Sequence, residues 1–351
     1  MPLHTEWVSP ITVLLVGFGP VGRAFAQVVA RQRALLSDRG LDLRITAIAT
    51  SRVLWRAADG RADPDGVAAV AEAAARAPFD SMPGVERGWN GLRAIEHVGA
   101  DLLVEASPTN LTDGEPATSH LRLALSKGIS AAVAGKGALV HHLPELRATA
   151  SRSGARLRFG AATAAALPTL DLVEFGLAGA QIERVDGVLN GTSNHILTAM
   201  RRDGLDFAAA LRDAQARGIA EADPTLDVDG WDTAAKLVLL GNHAWSTDLR
   251  LADVERRGIR DVTPADLAAA AADGRTLRLL GSLWREEDGR PRARVAPVAL
   301  KPDHPMAHVD GAEKGATFVT DTLGRITVSG GASSPGGAAA ALLRDVIHLS
   351  H

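Results

Sequence analysis

The chain has 351 residues, 46% of them hydrophobic and 23% charged, with a formal net charge of −3, a composition typical of globular proteins with room for two domains. It contains no cysteine and no tyrosine, which excludes disulfides, thiolate metal sites, Fe–S clusters and catalysis through a thiol or a phenol. The near-neutral charge argues against a nucleic-acid partner. No segment approaches the ~20 apolar residues of a membrane span, so a cytoplasmic protein with no membrane partner is the default prediction.

The first 134 residues alternate short apolar runs with helical patterns. This alternation predicts an α/β fold with a Rossmann-like, doubly wound parallel sheet. The predicted strands are 11–16, 43–49, 101–106 and 129–134, and the predicted helices are 20–36, 65–76 and 117–127.

After residue 140 the pattern changes to a mixture of strands and helices. We expect an inserted α+β domain over 141–324, with residues 1–140 completed by 325–351 as the first domain. The predicted strands are 156–159, 181–189, 291–300 and 325–329, and the predicted helices are 144–153, 195–202, 206–217, 231–245, 265–272 and 336–347.

A glycine-rich turn follows the first predicted strand and opens the first helix. The G-x-G-x-x-G string predicts dinucleotide binding in this context: its glycines allow a tight turn, close approach of a pyrophosphate and close helix packing, while the helix N-terminus attracts phosphate. A turn that only joins strand to helix is the alternative. The string is Gly17-Phe18-Gly19-Pro20-Val21-Gly22.

The second strand ends without an acidic residue, in Ala49-Thr50-Ser51-Arg52. An acid at this position usually accepts a hydrogen bond from a free ribose 2′-hydroxyl, whereas Ser51 and Arg52 can bind a 2′-phosphate. NADP is therefore predicted over NAD, with a solvated loop arginine as the alternative for Arg52.

Lysine is rare in this chain, with five residues among 38 Lys and Arg. Lysine, unlike arginine, can release a proton at neutral pH. Lys136 follows the fourth strand. Lys236 lies one helical turn after Asp232, and this spacing puts Asp232 and Lys236 on one helix face. Lys127, Lys301 and Lys314 lack such a setting, and no role is predicted for them. Without cysteine or a neighbouring acidic cluster, no metal site is predicted.

Several longer strings resemble the homoserine dehydrogenase family, in the form without a C-terminal regulatory domain. The resemblance covers essentially the whole chain and is strongest in the third string. The strings are Val104-Glu105-Ala106-Ser107-Pro108-Thr109-Asn110, Asn190-Gly191-Thr192-Ser193-Asn194, and the eighteen-residue run from Ala220-Glu221-Ala222-Asp223-Pro224 through Asp227 to Asp232-Thr233-Ala234-Ala235-Lys236-Leu237.

The resemblance implies NAD(P)-dependent interconversion of L-aspartate 4-semialdehyde and L-homoserine in a homodimer, with 1–140 binding nucleotide and 141–324 serving catalysis and dimerisation. It implies that Lys136 and Lys236 lie beside the reacting oxygen and that Asp232 holds Lys236. The implied amino-acid substrate site contains Glu221, which accepts the ammonium, with Asp227, Asn190 and Thr192. The implied nicotinamide pocket is lined by Ser107, Pro108 and Thr109.

The most serious departure from the family pattern lies in one loop. The family's Glu-Ala-x-Val-Gly-Gly-x-[Ile/Leu]-Pro string is here Gly160-Ala161-Ala162-Thr163-Ala164-Ala165-Ala166-Leu167-Pro168. Loss of the glutamate puts the family's monovalent-cation site in question, and two added methyl groups can change substrate discrimination. An oxidoreductase acting on a related amino-acid alcohol or aldehyde therefore remains an alternative, as does a silent NADP-binding protein.

Overall fold

The computed structural model describes residues 10–57, 63–331 and 334–350. The chain divides into two compact units, Met1–Ala162 with Ala338–His351, and Thr163–Gly337. These boundaries lie beyond the expected 140 and 325. The helix that begins at Gly137 runs on to Ser153 and leads into a further strand of the first sheet, while the strand Gly324–Gly330 pairs within the second sheet.

Thirteen strands lie in the described part of the chain. They are β1 Ile11–Val16, β2 Leu43–Ala49, β3 Val53–Arg56, β4 Val85–Arg87, β5 Leu102–Glu105, β6 Ser130–Val133, β7 Leu157–Arg158, β8 Ile182–Val188, β9 Glu255–Arg256, β10 Thr276–Arg285, β11 Pro291–Leu300, β12 Lys314–Thr320 and β13 Gly324–Gly330.

Fourteen α-helices lie in the same described residues. They are α1 Pro20–Arg31, α2 Arg33–Asp38, α3 Pro64–Arg76, α4 Gly91–His97, α5 Ala117–Ser126, α6 Gly137–Ser153, α7 Gly160–Ala164, α8 Thr169–Asp171, α9 Gly191–Asp203, α10 Phe207–Ala216, α11 Thr225–Val228, α12 Trp231–Trp245, α13 Pro264–Ala272 and α14 Pro335–Leu349.

The first unit is built on a seven-stranded sheet in the order β4-β3-β2-β1-β5-β6-β7. Strands β2, β1, β5, β6 and β7 are parallel, which confirms the Rossmann-like prediction. The continuous burial of Val13 to Val16 is typical of a central parallel strand covered on both faces. Leu342 and Val346 of α14 belong to the same core as Val13 and Phe25, so the C-terminal helix completes this unit.

Two features of the first unit were not predicted. Strands β3 and β4 extend it in antiparallel fashion, and the expected helix 20–36 breaks at Gln32 into α1 and α2. The direction of the chain across the sheet reverses between β1 and β5. In open α/β sheets, ligands bind at the carboxyl ends of the strands beside this switch point.

The second unit is built on a six-stranded sheet in the order β13-β12-β8-β10-β11-β9. All its pairs are antiparallel except β11 with β9. Helix α12 is buried continuously from Thr233 to Asn242, so polar side chains near its start, including Lys236, lie in a region of low water access. Within the described ranges, no helix of either unit combines the length and apolarity needed to cross a bilayer.

Candidate active site

The glycine string forms the turn between β1 and α1, as predicted. Gly17 has a φ of +95°, which favours glycine, and a Cβ there would overlap the backbone of Ala106 and Ser107. A Cβ on Gly22 would overlap the carbonyl of Gly17. Gly17 and Gly22 are therefore required by close backbone packing at the switch point.

Gly19 differs from the other two glycines because a Cβ there would meet nothing within 4 Å. It is the N-cap of α1, makes no side-chain cap, and precedes Pro20 in the first turn. The first N–H groups of a helix have no intrahelical acceptor. An open approach to uncapped N–H groups fits a bound pyrophosphate, so these residues fit a nicotinamide dinucleotide.

Ser51 and Arg52 lie in the exposed turn between β2 and β3. The Arg52 side chain is 80% exposed, and its Nη2 lies 3.8 Å from Oδ2 of Asp80. The turn thus presents a solvated guanidinium beside one carboxylate, at the strand end where a ribose is bound in this fold.

Ser107 is held by a buried pair that sequence reasoning missed. Glu105 Oε1 accepts hydrogen bonds from Ser107 N at 2.9 Å and from Ser107 Oγ, while Glu105 Oε2 lies 2.9 Å from Nδ1 of His120. Glu105 and His120 are both buried. They fix the turn that follows β5, which carries Pro108 and Thr109 beside the Gly17 turn.

Lys136 is the N-cap of α6 and is half-buried. Its backbone N–H donates to Oγ1 of Thr109 at 3.4 Å. The structure therefore brings two predicted residues, Lys136 and Thr109, together at the carboxyl ends of β5 and β6.

In the second unit, Lys236 is 8% exposed and lies in a polar cluster at the start of α12. Its Nζ donates to Oδ2 of Asp232 at 2.6 Å and to the carbonyl of Leu189 at 2.6 Å. The Asp232 contact predicted from the helical spacing is thus present. Leu189 contributes a backbone carbonyl, which no side-chain pattern announces.

Asn190 is the polar centre of this cluster. Its Nδ2 donates to Asp227 Oδ1 at 2.6 Å and to Asp232 Oδ2 at 2.9 Å, while its Oδ1 accepts from Ser193 N and caps α9. Both amide N–H groups are therefore used on carboxylates. These contacts place Asn190 between the two carboxylates and at the start of α9.

Asp227 is a half-buried carboxyl in the same cluster. Burial raises its pKa above the ordinary value, and the neighbouring Asp232 charge raises it further, while the Asn190 hydrogen bond and the Lys236 charge act in the opposite direction. The Asp227 carboxyl therefore holds its proton more tightly in this cluster than an aspartate in water does.

Two further predicted residues lie around this cluster differently. Thr192 is buried and its Oγ1 donates to the carbonyl of Ile219 at 3.1 Å. Glu221 is exposed, and its backbone carbonyl accepts from Nε2 of Gln215 at 3.1 Å.

Replacing Asp227 with Asn should raise the stability of the protein at alkaline pH. The raised pKa means that the folded state binds the proton more tightly than the unfolded state does, so the wild type loses stability as pH rises above the ordinary value of 3.8. We expect the melting temperature of Asp227→Asn to exceed that of wild type by about 2 °C at pH 8. The difference should shrink as pH falls toward 4, as measured by calorimetry.

Asp223→Asn is the matched control with the opposite sign. Hydrogen bonds from Thr225 lower the pKa of the Asp223 carboxyl, so its ionised form stabilises the folded state above pH 3.8 and this contribution is lost as pH falls. This variant should melt below wild type at pH 8. Equal effects of the two substitutions at all pH values would contradict the assignment.

In residues 10–57, 63–331 and 334–350, no three histidine, aspartate or glutamate side chains converge as metal ligands. The first unit contains a turn with uncapped helix N–H groups that are open to a phosphate, and the second unit contains a lysine held by a carboxylate.

Comparison with known proteins identifies the family. The model for the homoserine dehydrogenase NAD-binding domain matches residues 17–160, and the model for homoserine dehydrogenase matches residues 168–347. The chain belongs to the homoserine dehydrogenase family. It is therefore an NAD(P)-dependent oxidoreductase acting on a CH–OH group, as the sequence resemblance implied, and the alternatives left open from the sequence are not favoured.

Relatives from bacteria and archaea match over nearly the full length. The NAD(+)-dependent homoserine dehydrogenase of Pseudomonas canavaninivorans is 36% identical over 95% of both chains. The homoserine dehydrogenase of Methanocaldococcus jannaschii is 34% identical over 96% of this chain and 98% of its own.

Solved structures of the family have the same fold. A homoserine dehydrogenase from Thiobacillus denitrificans superposes with a TM-score of 0.84 at 30% identity, over 97% of this chain and 73% of that one. A hyperthermophilic archaeal homoserine dehydrogenase mutant in complex with NADPH has a TM-score of 0.83 at 25% identity, over 97% and 98%.

Proposed function

We propose that this homoserine dehydrogenase interconverts L-aspartate 4-semialdehyde and L-homoserine, with NADP as its preferred nucleotide and Lys236 as the residue that moves the proton. The observation that carries the proposal is the buried Asp232–Lys236–Leu189 arrangement. The first unit binds the nucleotide in this proposal, and the second unit provides the substrate residues.

The Lys236 contacts suit both protonation states of its amine. An ammonium has three N–H groups, of which Leu189 O and Asp232 Oδ2 accept two. Among the described residues no acceptor is recorded for the third. A neutral amine keeps two N–H groups for the same acceptors, and its lone pair then takes the direction of the third N–H.

This geometry supplies a proton without moving the side chain. When bound, the nicotinamide supplies or accepts the hydride at the carbon that is reduced or oxidised. In the reducing direction Lys236 gives its third proton to the developing alkoxide and becomes a neutral amine; in the oxidising direction it takes the hydroxyl proton. Its positive charge also stabilises the developing alkoxide before transfer. We assign Lys136 a second positive charge for the same step, Glu221 the substrate ammonium, and Asp227 and Thr192 the shaping of the substrate site.

Oxidation of NADPH with L-aspartate 4-semialdehyde tests the proposal directly. We expect kcat/KM for this aldehyde to exceed that for aldehydes one methylene shorter or longer by at least about tenfold. Tight NADPH binding without turnover of the semialdehyde, or a preference for another amino-acid aldehyde, would overturn it.

The nucleotide preference is tested at Arg52. Loss of one charge-assisted hydrogen bond to a 2′-phosphate costs about tenfold in affinity, so Arg52→Ala should lower kcat/KM for NADPH about tenfold and leave kcat/KM for NADH unchanged. Asp80→Asn should raise kcat/KM for NADPH, because it removes the carboxylate 3.8 Å from Arg52.

Arg33→Ala is the control for this pair, since Arg33 is an exposed arginine of the same unit that lies 3.4 Å from Asp63. Arg33→Ala should leave kcat/KM unchanged for both NADPH and NADH. Equal losses for NADPH and NADH in Arg52→Ala would show that Arg52 does not read the 2′-phosphate, and a wild type that prefers NADH would contradict the NADP assignment.

A homodimer is proposed from the likeness to the family. Light scattering of the purified protein should give about twice the 36.6 kDa chain mass. A monomer mass at working concentration would contradict it.

A further inference from the structure

Lys314 is a buried cation for which the sequence suggested no role. It is the first residue of β12, is 1% exposed, and its Nζ donates to the carbonyl of Ala164 at 3.0 Å. Lysine is almost never fully buried unless its charge is paired. The ammonium therefore lies against the end of α7 and the residues that follow it, Thr163–Leu167, which we call the Thr163–Leu167 loop and which belong to the second unit.

The same loop contains a backbone conformation that has to be held in place. Ala165 has a φ of +52°, a left-handed conformation that residues other than glycine rarely adopt. Such conformations persist where surrounding contacts determine them. The carbonyl immediately before Ala165 is the one that accepts from Lys314, so this charge-assisted bond fixes the strained peptide.

The residues present do not fit the monovalent cation that the family resemblance implies. The position of the family's glutamate is Gly160, and a Cβ there would lie 2.9 Å from Oδ1 and 3.3 Å from Oδ2 of Asp345. No side-chain carboxylate can enter at this position without displacing Asp345, which is itself paired with Arg158 at 3.2 Å. At the loop, a second cation near Ala164 O would meet the like charge of Lys314.

We infer that the Lys314 ammonium replaces a bound monovalent cation as the positive charge that holds the Thr163–Leu167 loop, so that this enzyme turns over without K⁺, Na⁺ or NH₄⁺. Lys314 is then a positioning residue, because it acts through the loop and not on the reacting atoms. This inference rests on the proposed homoserine dehydrogenase activity for its kinetic readout, but its thermal readout does not depend on that activity.

The test titrates KCl, NaCl and NH₄Cl against tetramethylammonium chloride at a constant ionic strength of about 0.15 M. For the wild type we expect kcat/KM to vary by less than about twofold between the four salts. The melting temperature without nucleotide should vary by less than about 1 °C. For Lys314→Met we expect at least about a tenfold loss of kcat/KM in tetramethylammonium, with partial recovery of both readouts in NH₄Cl or KCl. Lys301→Met is the matched control, since Lys301 is an exposed lysine of the same unit, and it should behave as wild type.

Activation of the wild type by more than about twofold in K⁺ would overturn the inference, as would a Lys314→Met enzyme with wild-type activity and no response to cations. If Lys314→Met does not fold, the wild-type titrations and Lys314→Gln, which keeps a donor but no charge, decide the question. A wild type without activity on the semialdehyde refutes the proposed function alone, because cation-independent melting of wild type and cation-dependent melting of the variant still test the loop.

Discussion

A Lys236→Arg enzyme should bind NADPH with unchanged affinity and lose at least about a thousandfold in kcat, within the range that a positioned acid or base contributes. Arginine keeps the positive charge and the hydrogen bonds to carboxylate, but it does not release a proton at neutral pH. The substitution therefore separates the electrostatic role of this residue from its proton-transfer role. The nucleotide turn at Gly17 belongs to the other unit, so nucleotide binding should not change.

Steady-state kinetics measure kcat, fluorescence titration measures NADPH affinity, and thermal melting measures the stability of the folded protein. Lys301→Arg makes the same replacement at an exposed lysine of the same unit and should leave kcat unchanged. A Lys236→Arg enzyme within about tenfold of wild type would remove Lys236 from proton transfer and leave Lys136 as the remaining proton donor. Loss of NADPH binding together with kcat would instead indicate a structural defect.

The parallel half of the fold could be predicted because its strands are short, mostly apolar runs followed by glycine or polar residues. Val13 to Val16 are buried on both faces, so local composition alone identifies such strands. The Gly17 turn and the Asp232–Lys236 pair were equally predictable, since both depend on residues within six positions of each other.

The second sheet was harder because two of its strands carry buried charges. Strands β10 and β12 were not predicted: Arg278 interrupts the apolar pattern of β10 and Lys314 is the first residue of β12, yet both are buried. Arg278 donates to Asn194, Thr198, Ala307 and Asp310. Those partners lie on distant segments. The acceptors of Lys236 and Lys314 include the backbone carbonyls of Leu189 and Ala164, which leave no trace in residue types.

Asn190→Asp should lower kcat/KM by about a hundredfold relative to wild type at pH 8, and the deficit should narrow as pH falls. Aspartate keeps the N-cap of α9, since its oxygen can still accept from Ser193 N. It replaces both N–H donors with oxygens, however, and so places a third carboxylate between Asp227 and Asp232. The added negative charge would compete with Asp232 for the Lys236 ammonium. It would also raise the pKa of the neighbouring Asp227 carboxyl.

As pH falls, one of these carboxyl groups takes up a proton and can donate a hydrogen bond where the amide did, so the ratio of variant to wild-type kcat/KM should rise between pH 8 and pH 6. Asn90→Asp is the matched control, because Asn90 caps α4 by accepting from Arg93 N at 2.9 Å and has no such carboxylate pair among its recorded contacts. Its ratio should stay near one at every pH. A ratio for Asn190→Asp that does not change with pH would mean that the amide acts only as a helix cap, and that Asp227 and Asp232 do not depend on it to hold Lys236.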